Sequence, residues 1–228
     1  MLRGIKTGWK LPLAFYFSDS QMTSVSLKSC IKEITEIVVN SGLRIAAYVC
    51  DQGSSNLKAI RDLVSETASD ASPNSNLSGN IINLYGQTIV AVYDAPHLIK
   101  GVRNNLLTKD LEIQKTASDA KEYLSWNIIE LAYEIDNVQP IYRQMRKITD
   151  QHIKRHKIKK MRVKHAVQVL SQTMALYIYH HTLLQGSIQS IRGPLSMPVA
   201  EGQAAAKYIT FFNNLFDSCN GHTIQSEN

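Results

Sequence analysis

Cysteine is scarce in this chain: Cys30, Cys50 and Cys219 are the only three in 228 residues, and they stand far apart with no Cys-x-x-Cys spacing. That excludes a disulfide framework and a cysteine-built zinc site, and it predicts an intracellular protein. Long apolar runs are missing too. No stretch approaches the roughly 18 uninterrupted apolar residues of a membrane span, and the N-terminus lacks the charged, apolar and small-residue order of a signal peptide. No membrane is expected as a partner, and Asn76-Leu77-Ser78, which fits the glycosylation pattern, has no consequence without secretion. A Gly-rich phosphate loop ending in Lys-Ser/Thr is absent, and so is any internal repeat.

Acid is in short supply relative to base. Asp plus Glu number 19 against 25 for Lys plus Arg, giving a formal charge of +6 and a pI near 9.2, which suits a polyanionic partner. The excess is concentrated: between Arg143 and Lys164 stand ten basic residues and one acid, Asp150, so the remainder of the chain is slightly acidic. No Phe, Tyr or Trp interrupts that window, with Tyr142 at its edge, which argues against base stacking there. The 44% hydrophobic content is enough for a sizeable core in one or two domains.

The first half reads as alternating strands and helices. Leu11 to Phe17 is an aromatic-rich run of strand type, and a helix follows in which Ser24 caps the start, apolar residues from Val25 to Val38 recur every three to four positions, and Gly42 ends the run. Leu43 to Cys50 is a nearly continuous apolar stretch, as expected of a strand covered on both faces, and it closes in Asp51. Gln52 to Ser55 is a turn, Asn56 to Val64 a short helix, and Ser65 to Gly79 a polar surface loop. Thr88 to Tyr93 is a second buried-type strand ending in Asp94, after which Pro96 begins a helix over His97 to Leu107.

After Lys109 the pattern predicts helices without strands: one through Trp126 to Ile135, one through Val163 to Ile178, one through Tyr208 to Phe216. Gly186 to Gly202 links the last two. Tyr179-His180-His181 reads as the polar end of a helix, and the Phe211, Phe212, Leu215, Phe216 cluster as a core or interface stripe. The expected architecture is therefore α/β followed by mainly α, with domains over 1–107 and 108–228.

Asp51 and Asp94 both close apolar strands, the place where α/β folds set ligands and catalytic groups. Such carboxylates can ligate Mg²⁺, or can simply cap the turn that follows. On the helix after Asp94, Lys100, Arg103 and Asn104 share one face while Leu98, Val102 and Leu106 share another, so an amphipathic helix would present cations to a phosphate backbone. Lys154, Arg155, Lys157, Lys159, Lys160, Arg162 and Lys164 in the basic window are the other candidates for nucleic-acid contact. His152 and His156 have the four-residue spacing of some zinc sites, but the surrounding lysines repel a dication.

Three motifs carry a resemblance. Gly8-Trp9-Lys10-Leu11-Pro12 before the aromatic run, then Val49-Cys50-Asp51-Gln52-Gly53-Ser54-Ser55-Asn56, then Asp94-Ala95-Pro96-His97-Leu98-Ile99-Lys100-Gly101-Val102-Arg103-Asn104-Asn105-Leu106, in this order, resemble the P-element transposase family and its THAP-domain relatives. Trp126, Met161 to Ala166 and Leu215 to Asn220 resemble that family's helical insertion. The resemblance implies a partial ribonuclease-H-like fold with a helical insertion that binds GTP. It also implies three acids that use Mg²⁺ for DNA cleavage and strand transfer, a nuclear or intracellular location, and homo-oligomeric assembly of the intact enzyme. Asp51 matches the second acid and is the implied metal ligand; Asp94 matches an accessory or structural position at the entry to the insertion.

The first and third acids have no counterpart in these 228 residues. Met1 lies just before the Gly-Trp-Lys segment, where the family is still inside the catalytic fold, so an incomplete sheet with an exposed strand edge is expected. Around Asp136 to Ile141 no Asn-Lys-x-Asp-like sequence stands, so guanine recognition through that motif is not supported. The expectation is a transposase segment that is catalytically silent alone. The rival is a non-catalytic, host-recruited nucleic-acid-binding or interaction protein, and a GTP-regulated assembly module is a third reading.

Overall fold

The computed structural model describes residues 1–70, 79–114, 116 and 120–220, and the chain divides into two compact units, Met1–Asp94 and Ala95–Asn228. In the first, β1 (Leu2–Arg3) and β2 (Lys10–Leu11) form a small antiparallel ribbon, followed by α1 (Ser24–Asn40), β3 (Ala47–Cys50), α2 (Ser54–Asp70), β4 (Ile81–Leu84) and β5 (Gln87–Tyr93). The three-stranded sheet runs β3-β5-β4, with β3 parallel to β5 and β4 antiparallel to it. Thr23 rather than Ser24 caps α1, its hydroxyl accepting from Ser26 N at 3.2 Å. Gly42 ends the helix at φ +83°, a conformation that favours glycine.

Ile31 of α1 and Ile60 and Leu63 of α2 pack on one sheet face, against Ile82, Ile89 and Ala91 with Tyr48 and Cys50 beside them. The opposite face carries Val49, Val90 and Val92, which are 61%, 44% and 44% exposed. The expectation of a strand from Leu43 covered on both faces is thus corrected: the strand has four residues and alternates exposed and half-buried, because both helices lie on the same side. The aromatic run does not form a strand past Leu11, and Phe15 and Phe17 are 80% and 92% exposed. β-propensity extends a backbone, but a ladder needs a neighbour, and among the described residues none pairs with 12–17.

Strand β4 escapes the sequence reading. It is joined to β5 by Tyr85-Gly86, both at positive φ (49° and 73°), the hairpin geometry that usually recruits Asn-Gly. The polar loop expected from Ser65 begins later, since α2 continues to Asp70. Asn76-Leu77-Ser78 lies outside the described residues.

The second unit contains α3 (Ala95–Leu106), β6 (Leu111–Ile113), β7 (Glu122–Leu124), α4 (Trp126–Asn137), a 3-10 turn (Pro140–Tyr142), α5 (Asp150–Ile153), α6 (Val163–Val169), α7 (Gln172–Leu184), β8 (Ser187–Ser190), β9 (Gly193–Ser196) and α8 (Val199–Asn220). Helix α3, grouped by sequence with the first domain, lies in this unit. Leu124, Trp126, Ile129, Ile153, Met174, Ile178 and Ile209 are all fully enclosed in its core. Although the unit is mainly helical, the expectation of no strands is corrected by the hairpins β6-β7 and β8-β9. The second of these occupies most of the supposed linker, and Gly202 is already inside α8. The helix expected over 163–178 breaks after Leu170, where Ser171 caps α7 by accepting from Met174 N at 3.4 Å. Tyr179-His180-His181 lies toward the C-terminal end of α7, with His181 in its last turn.

Gln172 N donates to Asn213 Oδ1 at 3.1 Å near the start of α7, and Thr182 near its end packs on Gly202, so α7 and α8 run antiparallel. A Cβ at Gly202 would stand 2.3 Å from Thr182 Cγ2 and 3.0 Å from Met197 Cγ. Gly202→Ala gains about 1 kcal/mol of helix propensity but forces two buried neighbours apart, a cost of about 1–3 kcal/mol. The expected net result is a lower denaturation midpoint that Thr182→Ser restores, because serine lacks Cγ2 yet keeps the hydroxyl that donates to Tyr179 O at 2.6 Å; equilibrium denaturation of the single and double variants checks it.

Candidate functional site: strand-end carboxylates and a basic loop

Parallel pairing of β3 with β5 aligns Cys50 with Tyr93, so the next residues, Asp51 and Asp94, stand side by side at the carboxyl edge of the sheet. Asp94 N donates to Cys50 O at 2.9 Å and continues the ladder to that point. Asp51 Oδ1 accepts from Gly53 N at 2.8 Å and from Asn56 Nδ2 at 2.6 Å, a side-chain turn that leads the chain into α2. A Cβ at Gly53 would be 3.0 Å from Asp51 Oδ1, so the glycine lets the carboxylate close on the backbone. Capping and metal binding, the two sequence readings of Asp51, are compatible, since a carboxylate has two oxygens and about four lone-pair sites. Hard oxygen donors at a sheet edge fit Mg²⁺ in kind. Among the described residues no group of three or more His, Cys, Asp or Glu side chains is gathered for a metal ion.

The cationic face expected on α3 is not formed. Lys100 is 8% exposed and Arg103 0%, the latter turned toward Lys160 of the same unit, and the exposed side of the helix carries His97 and Asn105 instead. Arg103 Nε donates to Asn104 Oδ1 at 2.8 Å and its Nη2 to Lys160 O at 3.0 Å, while its Nη1 is buried without a hydrogen-bond partner. Burial lowers the pKa of this guanidinium, which still remains charged. The helical wheel groups Lys100 with Arg103 correctly; it cannot say which side meets the core.

The basic window divides by use. Arg143 Nε pairs with the buried Asp136 at 3.0 Å, and its Nη2 donates to Ile148 O at 2.7 Å. Lys154 meets Glu134 at 3.3 Å, and Lys157 meets Asp150 at 2.5 Å. Asp150 also accepts from the Tyr133 hydroxyl at 3.0 Å, and the hydrogen bonds from Lys157 and Tyr133 hold its carboxyl below the usual range. Arg155 donates to Leu107 O and to Asn127 Oδ1, the latter at 3.0 Å, and lies 3.6 Å from Glu130. Lys159, Lys160, Arg162 and Lys164 are exposed, and no ion pair with a carboxylate engages them among the described residues.

Two arrangements have no sequence signal. Asp136 has both oxygens engaged, Oδ2 with Arg143 and Oδ1 with Gln144 N (2.7 Å) and Met145 N (3.2 Å), so it fixes a loop. His152, buried, accepts Thr149 N on Nδ1 at 3.1 Å, which places its proton on Nε2, facing Gln168 Oε1 at 2.9 Å. Its ring stacks at 4.0 Å on His165, whose Nδ1 is buried and unpartnered. His156 is exposed, so the two histidines four apart do not share a ligand face.

Residues 96–228 match the family model described as "TNP-like, GTP-binding insertion domain", and residues 1–64 that described as "TNP-like, RNase H N-terminal domain". The chain is 28% identical over 182 residues to the Transposable element P transposase of Drosophila melanogaster, covering 77% of this chain and 21% of that protein. Its fold is similar to a chain of the Drosophila P element transposase strand transfer complex, with a TM-score of 0.68 and 24% identity, covering 98% of this chain and 45% of that one. The chain thus spans about a fifth of the length of the curated relative it matches. No helix among the described residues is long and apolar enough to cross a membrane.

Two outcomes follow from the geometry. Asp51→Ala removes the acceptor for Gly53 and Asn56 and is expected to cost about 1 kcal/mol, whereas Asp51→Asn keeps an acceptor oxygen and is expected to melt with the parent; thermal denaturation of both decides. The pKa of His165 is lowered chiefly by burial, then by His152, Arg162 and Arg103. The unfolded chain, with an ordinary histidine value of 6.5, therefore binds the proton first as pH falls. This contribution to stability is complete above that value and is lost on acidification below it. Denaturation midpoints are expected to fall between about pH 7 and pH 5, with a shallower fall in His165→Phe; an equally steep fall in that variant would exclude His165 as the source.

Proposed function

The chain belongs to the P-element-type transposase family, with an RNase H-like region followed by the family's GTP-binding insertion domain, and from that premise we propose that it serves Mg²⁺-dependent DNA cleavage and strand transfer. The observation that carries the proposal is the placement of Asp51 beside Asp94 at the carboxyl edge of two parallel strands. Asp51 is the metal-binding acid, one of the three that the family resemblance implies. Asn56 and Gly53 hold its Oδ1 and so set the direction of the carboxylate, while Asp94 is accessory at the strand end. Mg²⁺, when bound, stabilises the charge that develops on the phosphodiester oxygens. A single acid of this kind leaves the chain catalytically silent by itself.

DNA contact is assigned to the basic loop and the first turn of α6, which carries Lys164, rather than to α3. Lys159, Lys160, Arg162 and Lys164 are exposed and clear of carboxylates, and phosphate contacts are largely indifferent to sequence. The family model of the insertion domain is described as GTP-binding, but this chain has no Asn-Lys-x-Asp-like motif and both Asp136 oxygens hold the chain at Arg143 to Met145.

Titration of duplex DNA with the whole chain over a range of salt, with a nicking assay in Mg²⁺, tests both parts. The expected result is binding whose logarithm falls linearly with log salt. Replacing Lys159, Lys160, Arg162 and Lys164 by alanine should reduce the slope by about 3 to 4. No nicking is expected. Nicking that disappears in Asp51→Asn would overturn the silent reading and make the chain a nuclease in its own right, and an unchanged slope in the fourfold variant would remove DNA from the loop.

A further inference from the structure

We propose that Arg103 is a positioning residue that holds the basic loop in its DNA-binding shape from beneath, an inference that rests on the loop's reading as the DNA contact. Arg103 is fully enclosed, yet none of its hydrogen-bond acceptors is a carboxylate: it donates to Asn104 Oδ1 at 2.8 Å and to the carbonyls of Lys160 (3.0 Å) and Lys159 (3.5 Å). Asn104 Nδ2 adds a longer bond to the same Lys160 carbonyl at 3.4 Å. One guanidinium and one amide, successive on α3, therefore grip the backbone of the two lysines whose side chains point to solvent.

The loop needs such a grip. Between Lys154 and Arg162 its own backbone bonds are the turns Lys157 N to Lys154 O (2.7 Å) and Arg162 N to Lys159 O (3.0 Å), with no helix or strand to fix it. It carries like charges that repel one another, and a loose loop must be ordered each time it meets a phosphate backbone. Tethering it in advance removes that cost from binding. A planar fork with donors in fixed directions suits two neighbouring carbonyls, and a lysine ammonium at the same place cannot reproduce it.

Charge alone does not explain the residue. A buried cation without a counter-ion costs stability, and the partnerless Nη1 adds to that cost. An apolar side chain would fill the space more cheaply, so the return lies in what Nη2 and Nε hold. That is the part of the Asp94 to Leu106 motif for which surface contact with DNA gives no account.

The test compares Arg103→Lys, which keeps the charge and loses the fork, with the parent and with the fourfold loop variant described above. Duplex DNA affinity is measured against salt in the whole chain, with amide hydrogen exchange of 158–162 alongside. Arg103→Lys is expected to bind about tenfold more weakly at every salt concentration with an unchanged slope, since the phosphates contacted are the same and only the ordering cost is new. Exchange in the loop should quicken while α7 and α8 stay protected. Parent-like affinity in a folded Arg103→Lys protein overturns the proposal, since charge would then suffice; so does weaker binding without faster loop exchange.

If that variant fails to fold, Asn104→Ala gives the same reading on a half-exposed residue, with a loss of about threefold expected and no loss refuting the clamp. Failure of the underlying DNA reading is a separate outcome, visible as an unchanged slope in the fourfold loop variant.

Discussion

Buried carbonyls must find donors, and in the second unit that requirement governs the segment from Val138 to Arg162, where regular structure amounts to a 3-10 turn and the four residues of α5. Side chains meet it. Trp126 Nε1 reaches Ile153 O at 3.2 Å, Arg143 reaches Met145 O and Ile148 O, Arg155 reaches Leu107 O, and Arg103 reaches Lys160 O. An arginine fork can serve two carbonyls or a carbonyl and a carboxylate together, which accounts for three arginines in these places. The concentration of base in this part of the sequence therefore has two causes, one internal and one facing solvent.

In the first unit the governing constraint is register. Four aligned pairs between β3 and β5 place two aspartates at one edge, and a shift of one residue would turn Tyr48 and Cys50 away from Ile60 and Leu63 and expose the core face. Core packing thus secures the position of Asp51 without touching its carboxylate. The short turn through Gly53 then orients the carboxylate locally, so the geometry of the proposed metal ligand rests on a hydrophobic alternation and on two hydrogen bonds. Burial raises the neighbouring Cys50 thiol pKa, with Asp51 adding to it, which keeps the thiol neutral and leaves the edge to oxygen donors.

Local chemistry was what the sequence could reveal. Gly42 at the end of α1, the carboxylates after β3 and β5, Pro96 in the first turn of α3 and the periodic apolar residues of α4 were all readable, because each depends on neighbours a few residues away. What could not be read depends on distant partners. Residues 12–17 have every property of a strand except, among the described residues, a strand beside them, and Tyr85-Gly86 forms a hairpin turn without the usual residues. Lys100 and Arg103 do share a helix face, but that face is buried, because the elements packed on α3 are the distant α6, α8 and the chain at Lys160. In the basic window, a count of charges cannot separate Arg143, whose partner is seven residues back across Pro140, from Lys164, which has none among the described residues.

The half-buried Arg143 and the enclosed Arg103 solve unlike problems. Arg143 is neutralised by Asp136, and that carboxylate in turn accepts two backbone amides, so breaking the pair would strand a charge and three hydrogen-bonding groups at once. Its net worth against an apolar pair is small, but it admits one path for the chain from Arg143 to Ile148. Arg103 has no such partner, and its charge is left to add to the positive field of the loop above it. The satisfied pair fixes where the irregular segment begins; the unsatisfied cation fixes where its exposed lysines end up. The pair at Asp136 leaves neither of its carboxylate oxygens unpartnered, whereas Arg103 leaves Nη1 buried without an acceptor, so the second place costs stability that the first does not.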